Sequence, residues 1–270
     1  MSIGRLIKMF IVTASLLIIP ISLISCGGGG DALREMMKQT PDEATSITYV
    51  DAKAMSDDSD LHGLLDKWKA DNETELAFYG IERDNVEHYM KFSDITGNDS
   101  VIVTGNFDTN DLRQQLESRD FDDKDFKLVE VWESPDGLFW LAVPEGSIIG
   151  GAKETVKDVI RVIKGDASIY EDQDAFAIVD RLPEGLIVRY QEYAEGAPFN
   201  GLVAYGESLK KQSAAMIQVE MLYKFLEPEQ AADVMEDVAE DVDEYYDKVK
   251  YEQDGRYVVI KAEVEIEDLL

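Results

Sequence analysis

The segment Met216-Ile217-Gln218-Val219-Glu220-Met221-Leu222-Tyr223-Lys224-Phe225 alternates in character. Ile217, Val219, Met221, Tyr223 and Phe225 share one face, and Gln218, Glu220 and Lys224 share the other. A period of two is that of a half-buried β-strand. Pro228 then suits a first helical turn, and Ala231, Val234, Met235, Val238, Val242 and Tyr245 make an apolar helical stripe. The opposite face carries Asp233, Glu236, Asp237, Glu240, Asp241 and Glu244, a solvated side that would also suit a basic partner protein. Lys248–Glu252 and Arg256–Ile266 pair through Asp254-Gly255, a two-residue hairpin signal, with Val258, Ile260, Ala262, Val264 and Ile266 on one face. The unit is strand, helix, strand, tight turn, strand.

Residues 100–143 repeat this order. Val101–Phe107 predicts a buried strand, Asp108 or Thr109 caps a helix carrying Leu112 and Leu116, and Lys127–Trp132 and Leu138–Val143 flank Ser134-Pro135-Asp136-Gly137. In that turn proline sets the first turn angle and glycine takes the left-handed position. An apolar strand precedes each unit, at 47–50 and at 186–190. Between them Leu61, Leu64, Leu65 and Trp68 mark one helix face, Asp84–Phe92 a short helix and Ser147–Gly151 a strand. Val156, Val159, Ile160 and Ile163 mark a further helix, as do Phe176 and Val179, while Ala197–Lys211 is less regular. The pattern predicts an α+β fold built from duplicated strand-helix-strand-strand units, with antiparallel sheets and helices on one face, an order that admits two ferredoxin-like lobes. The expected divisions are a signal at 1–25, a flexible Gly/polar linker at 26–45, a first lobe at 46–165 and a second at 166–270.

The N-terminus has a different logic. Arg5 and Lys8 precede an uncharged, mostly apolar run from Met9 to Ser25, followed by Cys26 and Gly27–Gly30. A basic region, a short apolar region and small residues at a cleavage point mark a secretory signal. A membrane-spanning helix needs about 20 consecutive apolar residues, and Pro20 interrupts this run. Leu23-Ile24-Ser25-Cys26 resembles the lipobox of bacterial lipoproteins. The resemblance implies cleavage before Cys26, lipid on its thiol and amino group, and an extracytoplasmic protein anchored to a membrane or cell surface. Two acyl chains suffice for stable anchoring where one does not. Gly27 in place of an aspartate after the cysteine is compatible with display on an outer leaflet.

Composition narrows the partners. The net charge is −30, with 56 acidic against 26 basic residues, which argues against nucleic acid, whose phosphates demand Lys and Arg. It also disfavours adsorption to anionic lipid, leaving anchoring to the lipid itself. Cys26 is the only cysteine, so no internal disulfide forms.

Candidate sites are few. Ser208-Leu209-Lys210-Lys211 fits S-x-x-K, in which a helix places a lysine one turn from a serine nucleophile; penicillin-binding enzymes also need S-D-N-like and K-T-G elements, which are missing. His62 and His88 are the only histidines, and zinc wants three or four ligands, so no metal or other cofactor is expected beyond the lipid. The clusters Asp57, Asp58, Asp60 and Asp120, Asp122, Asp123, Asp125 lack the spacing of a Ca²⁺ loop and read as solvated charge. If Ser134 pairs with Leu138, Trp132 lies opposite Trp140, forming either a stacking surface for a sugar or peptide or, since exposing two tryptophans is costly, a pair covered by another element. The sequence thus predicts a non-enzymatic, lipid-anchored envelope protein that binds or scaffolds an unidentified protein or small ligand. Two alternatives are a ligand-capturing lipoprotein serving a transporter and a cell-surface hydrolase using paired carboxylates or Ser208.

Overall fold

The computed structural model describes residues 29–193, 197–243 and 245–270. The expected signal, Cys26 and its next two glycines, the Ala239 and Asp241 side chains and Glu244 lie outside the described residues. The strands are β1 (Ala44–Asp51), β2 (Val86–Asp94), β3 (Asp99–Gly105), β4 (Asp122–Phe126), β5 (Val129–Glu133), β6 (Phe139–Ala142), β7 (Ile148–Ala152), β8 (Ile187–Glu192), β9 (Leu202–Lys211), β10 (Met216–Phe225), β11 (Asp247–Asp254) and β12 (Tyr257–Glu265). All twelve join one sheet in the order β11-β12-β10-β9-β8-β1-β2-β3-β7-β6-β5-β4. Every neighbouring pair is antiparallel. The helices are α1 (Gly29–Met37), α2 (Ala52–Ser56), α3 (His62–Phe78), α4 (Thr109–Glu117), α5 (Lys153–Ile163), α6 (Gln173–Val179) and α7 (Pro228–Asp243).

The α+β class and the antiparallel pairing match the sequence pattern. The layering differs from it, because helices cover both faces. On one face, here face A, α2, α3, α4 and α7 bury Met55, Leu64, Trp68, Leu112, Leu116, Ala231 and Val238 against Val50, Val101, Val219 and Ile260. On face B, α1, α5 and α6 bury Leu33, Met36, Val156, Val159, Ala175 and Ile178 against Ile47, Tyr49, Met90 and Phe92. Strands covered on both sides have apolar residues at consecutive positions, which blurs the period of two. This explains β2, read as a helix from Asp84 to Phe92. Its Tyr89 belongs to the core of face A and its neighbour Met90 to that of face B.

The two halves follow one path. Each lays down three antiparallel neighbours (β1-β2-β3, β8-β9-β10), crosses face A with a helix (α4, α7), and returns from the sheet edge inward to pair with its third strand. The first half returns with four strands and the second with two. The halves meet where β1 pairs with β8, Thr48 opposite Arg189. They share one sheet, so two ferredoxin-like lobes are not what the order builds.

Three local differences follow from packing. Residues 31–45, expected as linker, include most of α1, whose Leu33, Met36 and Met37 are buried, and the start of β1. The Asp120–Asp125 cluster is largely the edge strand β4, where exposed Asp122, Asp123 and Asp125 flank Lys124. The other edge, β11, carries Asp247, Lys248, Lys250, Glu252 and Asp254. Charged side chains on both edges discourage pairing with another chain. In the last hairpin Asp254 pairs with Tyr257, so the turn residues are Gly255 and Arg256, and Gly255 takes φ +60° at the first turn position, as a type II′ turn requires.

A polar trough across the central strands

In an antiparallel sheet, residues that pair directly share a face. On face A one such row runs Tyr223, Tyr205, Gln191, Ser46, Ser93, Asp99. The next runs Met221, Glu207, Arg189, Thr48, Lys91, Val101. Both cross the centre of a twelve-stranded sheet, where apolar side chains would be expected under a helix. Instead Tyr205, Tyr223, Gln191, Ser46, Ser93, Thr48, Lys91 and Arg189 are half-buried. On face B the corresponding row, Leu222, Gly206, Tyr190, Ile47, Phe92, Ser100, is buried throughout. Face A is therefore polar and only partly covered over β9, β8, β1 and β2.

Helices flank this polar stretch. On one side α3 packs Trp68 edge-to-face on Tyr89, with ring centroids 5.4 Å apart, and Tyr89 Oη donates to Glu75 at 2.8 Å. On the other, α7 covers β10 and β12, and its Gln230 packs so closely on Gly201 that a Cβ there would meet Gln230 Oε1 at 2.2 Å. At the end where β9 finishes, Lys211 is held by Asp58 and Asp60 from the segment between α2 and α3. Burial alone would lower the Lys211 ammonium, but its bonds to Asp60 and Asp58 outweigh it and leave it raised. The Asp57–Asp60 cluster thus caps a turn and neutralises a buried lysine.

Within the trough the charges are paired. Arg189 Nη1 donates to Glu207 at 2.7 Å, with both side chains largely withdrawn from water. Lys91 Nζ lies 3.1 Å from Glu75 and 3.0 Å from Asp99. Aromatic rings stand beside them: Tyr205 and Tyr223 have centroids 4.9 Å apart at 55°, and Phe199 meets Tyr223 edge-on at 6.3 Å. Burial, then the Glu207 charge, pushes the Tyr205 hydroxyl well above its ordinary range, with Arg189 opposing. Tyr246 is raised for the same reasons and Tyr193 by burial. Burial holds these tyrosines neutral, packed against the face-A core and at most partly exposed, with hydroxyls that remain donors at physiological pH.

The sites expected from sequence lie elsewhere. Trp132 pairs with Leu141, and Trp140 with Glu133, because Ser134 N–H donates to Phe139 O and the turn is one residue longer than a Ser134–Leu138 pairing assumes. A one-residue slip sends a side chain to the other face, so Trp132 enters the core of face A and Trp140 that of face B. Both are buried and neither offers a stacking surface; their indole N–H groups donate to Glu130 and Glu133 at 2.9 and 3.0 Å. Ser208 and Lys211 lie three apart on β9, a strand rather than a helix, and therefore point to opposite faces. Ser208 Oγ donates to Pro183 O at 2.6 Å. His62 Nε2 sits 3.1 Å from Ser56 O, far along the chain from His88, whose Nδ1 is 3.0 Å from Tyr49 Oη and 3.5 Å from Asp51. Among the described residues, no three His, Cys, Asp or Glu side chains gather to hold a metal ion. On α7, Asp233, Glu236, Asp237 and Glu240 face solvent.

A second depression, of about 590 Å³, lies on face B between α1, the β6–β7 connection and the end of α5, lined by Lys38, Glu130, Ser147 and Lys164. Its rim includes Leu128, 94% exposed, in a two-residue turn where Lys127 and Leu128 take φ +49° and +64°.

Asp51, at the end of β1, is 4% exposed and caps α2 by accepting from Ala54 N at 2.8 Å. Burial raises its carboxyl above the ordinary range, against the pull of the Ala54 bond and His88. The folded state thus holds the Asp51 proton more tightly than the unfolded chain, so this group's contribution to stability falls as pH rises from the ordinary carboxylate range through the raised value. Asp51→Asn keeps a cap oxygen and removes the titration. Thermal melts of both proteins are expected to give a variant-minus-wild-type midpoint difference that grows more positive from pH 4 to pH 7; a constant difference would contradict the assignment.

No family model and no curated protein matches this sequence. The fold resembles that of TP0453. Two crystal forms of that protein each align with a TM-score of 0.52, at 10% and 9% identity, over 86% of this chain and 94% of theirs. At that identity the likeness establishes the architecture alone.

Proposed function

We propose that this protein is a lipid-anchored, extracytoplasmic, non-enzymatic binding protein whose ligand occupies the central trough. The observation that carries the binding role is the row of half-exposed polar and aromatic side chains across four central strands, where a covering helix would otherwise bury apolar ones. The lipobox resemblance at Cys26 supports the anchor. α1 begins at Gly29, three residues later, a distance of at most about 10 Å of extended chain. A Cβ on Gly30 would meet Glu184, just before β8, so α1 starts at the sheet end where β8 begins. The tyrosines lie toward the opposite end, where β8 finishes and β9 starts. That placement supports a ligand site turned away from the bilayer. The trough also lies at the junction of the two halves, as a ligand-capturing lipoprotein serving a transporter would need; that reading differs only in where the ligand goes next. Ser208 and Lys211 pointing apart give the hydrolase reading no support.

Intact mass and membrane partition of the full-length product beside Cys26→Ala test the anchor. The wild type is expected to lose residues 1–25, gain acyl mass at Cys26 and sediment with membranes, and the variant to gain none. A wild type that keeps Met1–Ser25 without lipid would overturn it.

A further inference from the structure

We infer that the protein self-associates through the depression on face B, with Leu128 of one copy seated in the depression of a second copy. The inference is independent of the trough and starts from a residue that the fold does not use. Phe126 pairs with Val129, so Lys127 and Leu128 form a two-residue turn, and both take positive φ, +49° and +64°. That geometry favours asparagine and glycine, because an L side chain adopts it at a cost. Leu128 nevertheless stands there, 94% exposed and outside both core clusters. The turn gains nothing from a leucine, and the core does not reach it. Its position sets it apart from a stray surface residue, for it lies on the rim of the depression of about 590 Å³. Val129 and Val162 line that depression as buried residues, and Val143, Pro144 and Ile163 as half-exposed ones. A knob beside a hollow on one surface is complementary to its own copy, since a two-fold axis between them sends each knob into the other's hollow.

The rim charges favour the same partner. Glu35 pairs with Lys38 at 2.6 Å, and Glu130 with Arg113 at 2.7 Å. Glu145 and Lys164 are exposed and have no ion-pair partner among the described residues. Across a two-fold axis each meets the other in the second copy. A basic partner or an anionic lipid surface would instead call for a single sign of charge. The net charge of −30 makes copies repel over most of their surface, and at this balanced patch they repel least.

The test is sedimentation equilibrium of the full-length product in a density-matched detergent, over about 1–100 μM protein. A monomer–dimer equilibrium in the micromolar range is expected, tighter at high salt because screening removes more repulsion than attraction between two copies of such charge. Lys127→Asn with Leu128→Gly installs the residues the turn favours. It is expected to weaken the dimer about tenfold or more while holding or raising the melting midpoint, which separates a lost contact from a lost fold. Glu145→Lys and Lys164→Glu are each expected to weaken the dimer, since each sets like charges face to face, and the two together to restore it. Restoration requires the two residues to meet across copies, which neither adsorption to a membrane nor docking of another protein supplies. A monomer throughout the range would overturn the inference. So would a dimer that the turn variant leaves intact, or one that the paired charge reversals fail to restore.

Discussion

Glu207→Ala is expected to destabilise the protein by about 3–5 kcal/mol, because it removes the buried carboxylate that accepts from Arg189 Nη1 beneath half-buried rings. For a chain of this size each kcal/mol moves the melting midpoint by about 2–4 °C, so a drop of about 6–20 °C is expected. The cost is a matter of context. Two charges taken out of water pay a desolvation penalty that their attraction roughly repays, and removing one leaves the other's penalty uncompensated. Glu207→Leu combined with Arg189→Met is therefore expected to recover most of the loss, a coupling that a double-mutant cycle from urea unfolding would measure. A single-variant loss below about 1 kcal/mol would show that water reaches the pair freely.

Trp68→Ala is expected to cost about 3–5 kcal/mol for a different reason. Trp68 is fully buried on the inner face of α3, against the edge of Tyr89 and beside Leu64, Leu65 and Leu76. Its removal leaves a cavity under the helix that forms one wall of the trough. Hydrogen exchange is expected to report faster opening of residues 62–78 than of β10 and β12, and Trp68→Phe to retain a large part of the stability. Uniform acceleration across the molecule would mean that α3 opens only with global unfolding, so that it does not behave as a separable wall.

How much was legible follows from where the period survives. β10, β12 and α7 keep a clean contrast between apolar and polar positions, and all three stand where the sequence puts them. β9 does not. Its face-B positions Ala204, Gly206 and Ser208 are small because α6 packs directly on them, a Cβ at Gly206 meeting Ile178 at 2.2 Å. Its face-A positions Tyr205 and Glu207 are polar because they line the trough. Neither face carries a continuous apolar run, with only Leu202, Ala204 and Leu209 as buried apolar residues, so the segment reads as irregular. The same cause hid the site. Arg189, Glu207 and Lys91 are isolated charges within strands, and a charge at an inward position of a central strand is the signal that could have found them. The paired tryptophans drew attention instead, and one residue of turn length, invisible to pattern, turned them to opposite sides of the sheet. α1 shows in the sequence only as a short helical hint at Leu33, Met36 and Met37, between a glycine run and Pro41, too brief to set apart from a linker.

The pairing of β1 with β8 also bears on how quickly a ligand of the proposed kind would come and go. Ser46 to Val50 run opposite Gln191 to Ile187 as a continuous ladder, so the two halves are welded where clamshell receptors have a hinge. Closing one half over the other would break that ladder, which removes domain closure as a way to trap cargo. Recognition then depends on a surface that is already shaped before encounter, with little ordering cost on arrival and no gate to open on departure. On the proposed binding role, exchange would be rapid, which would suit holding a molecule against a structure that stays in place better than carrying it away.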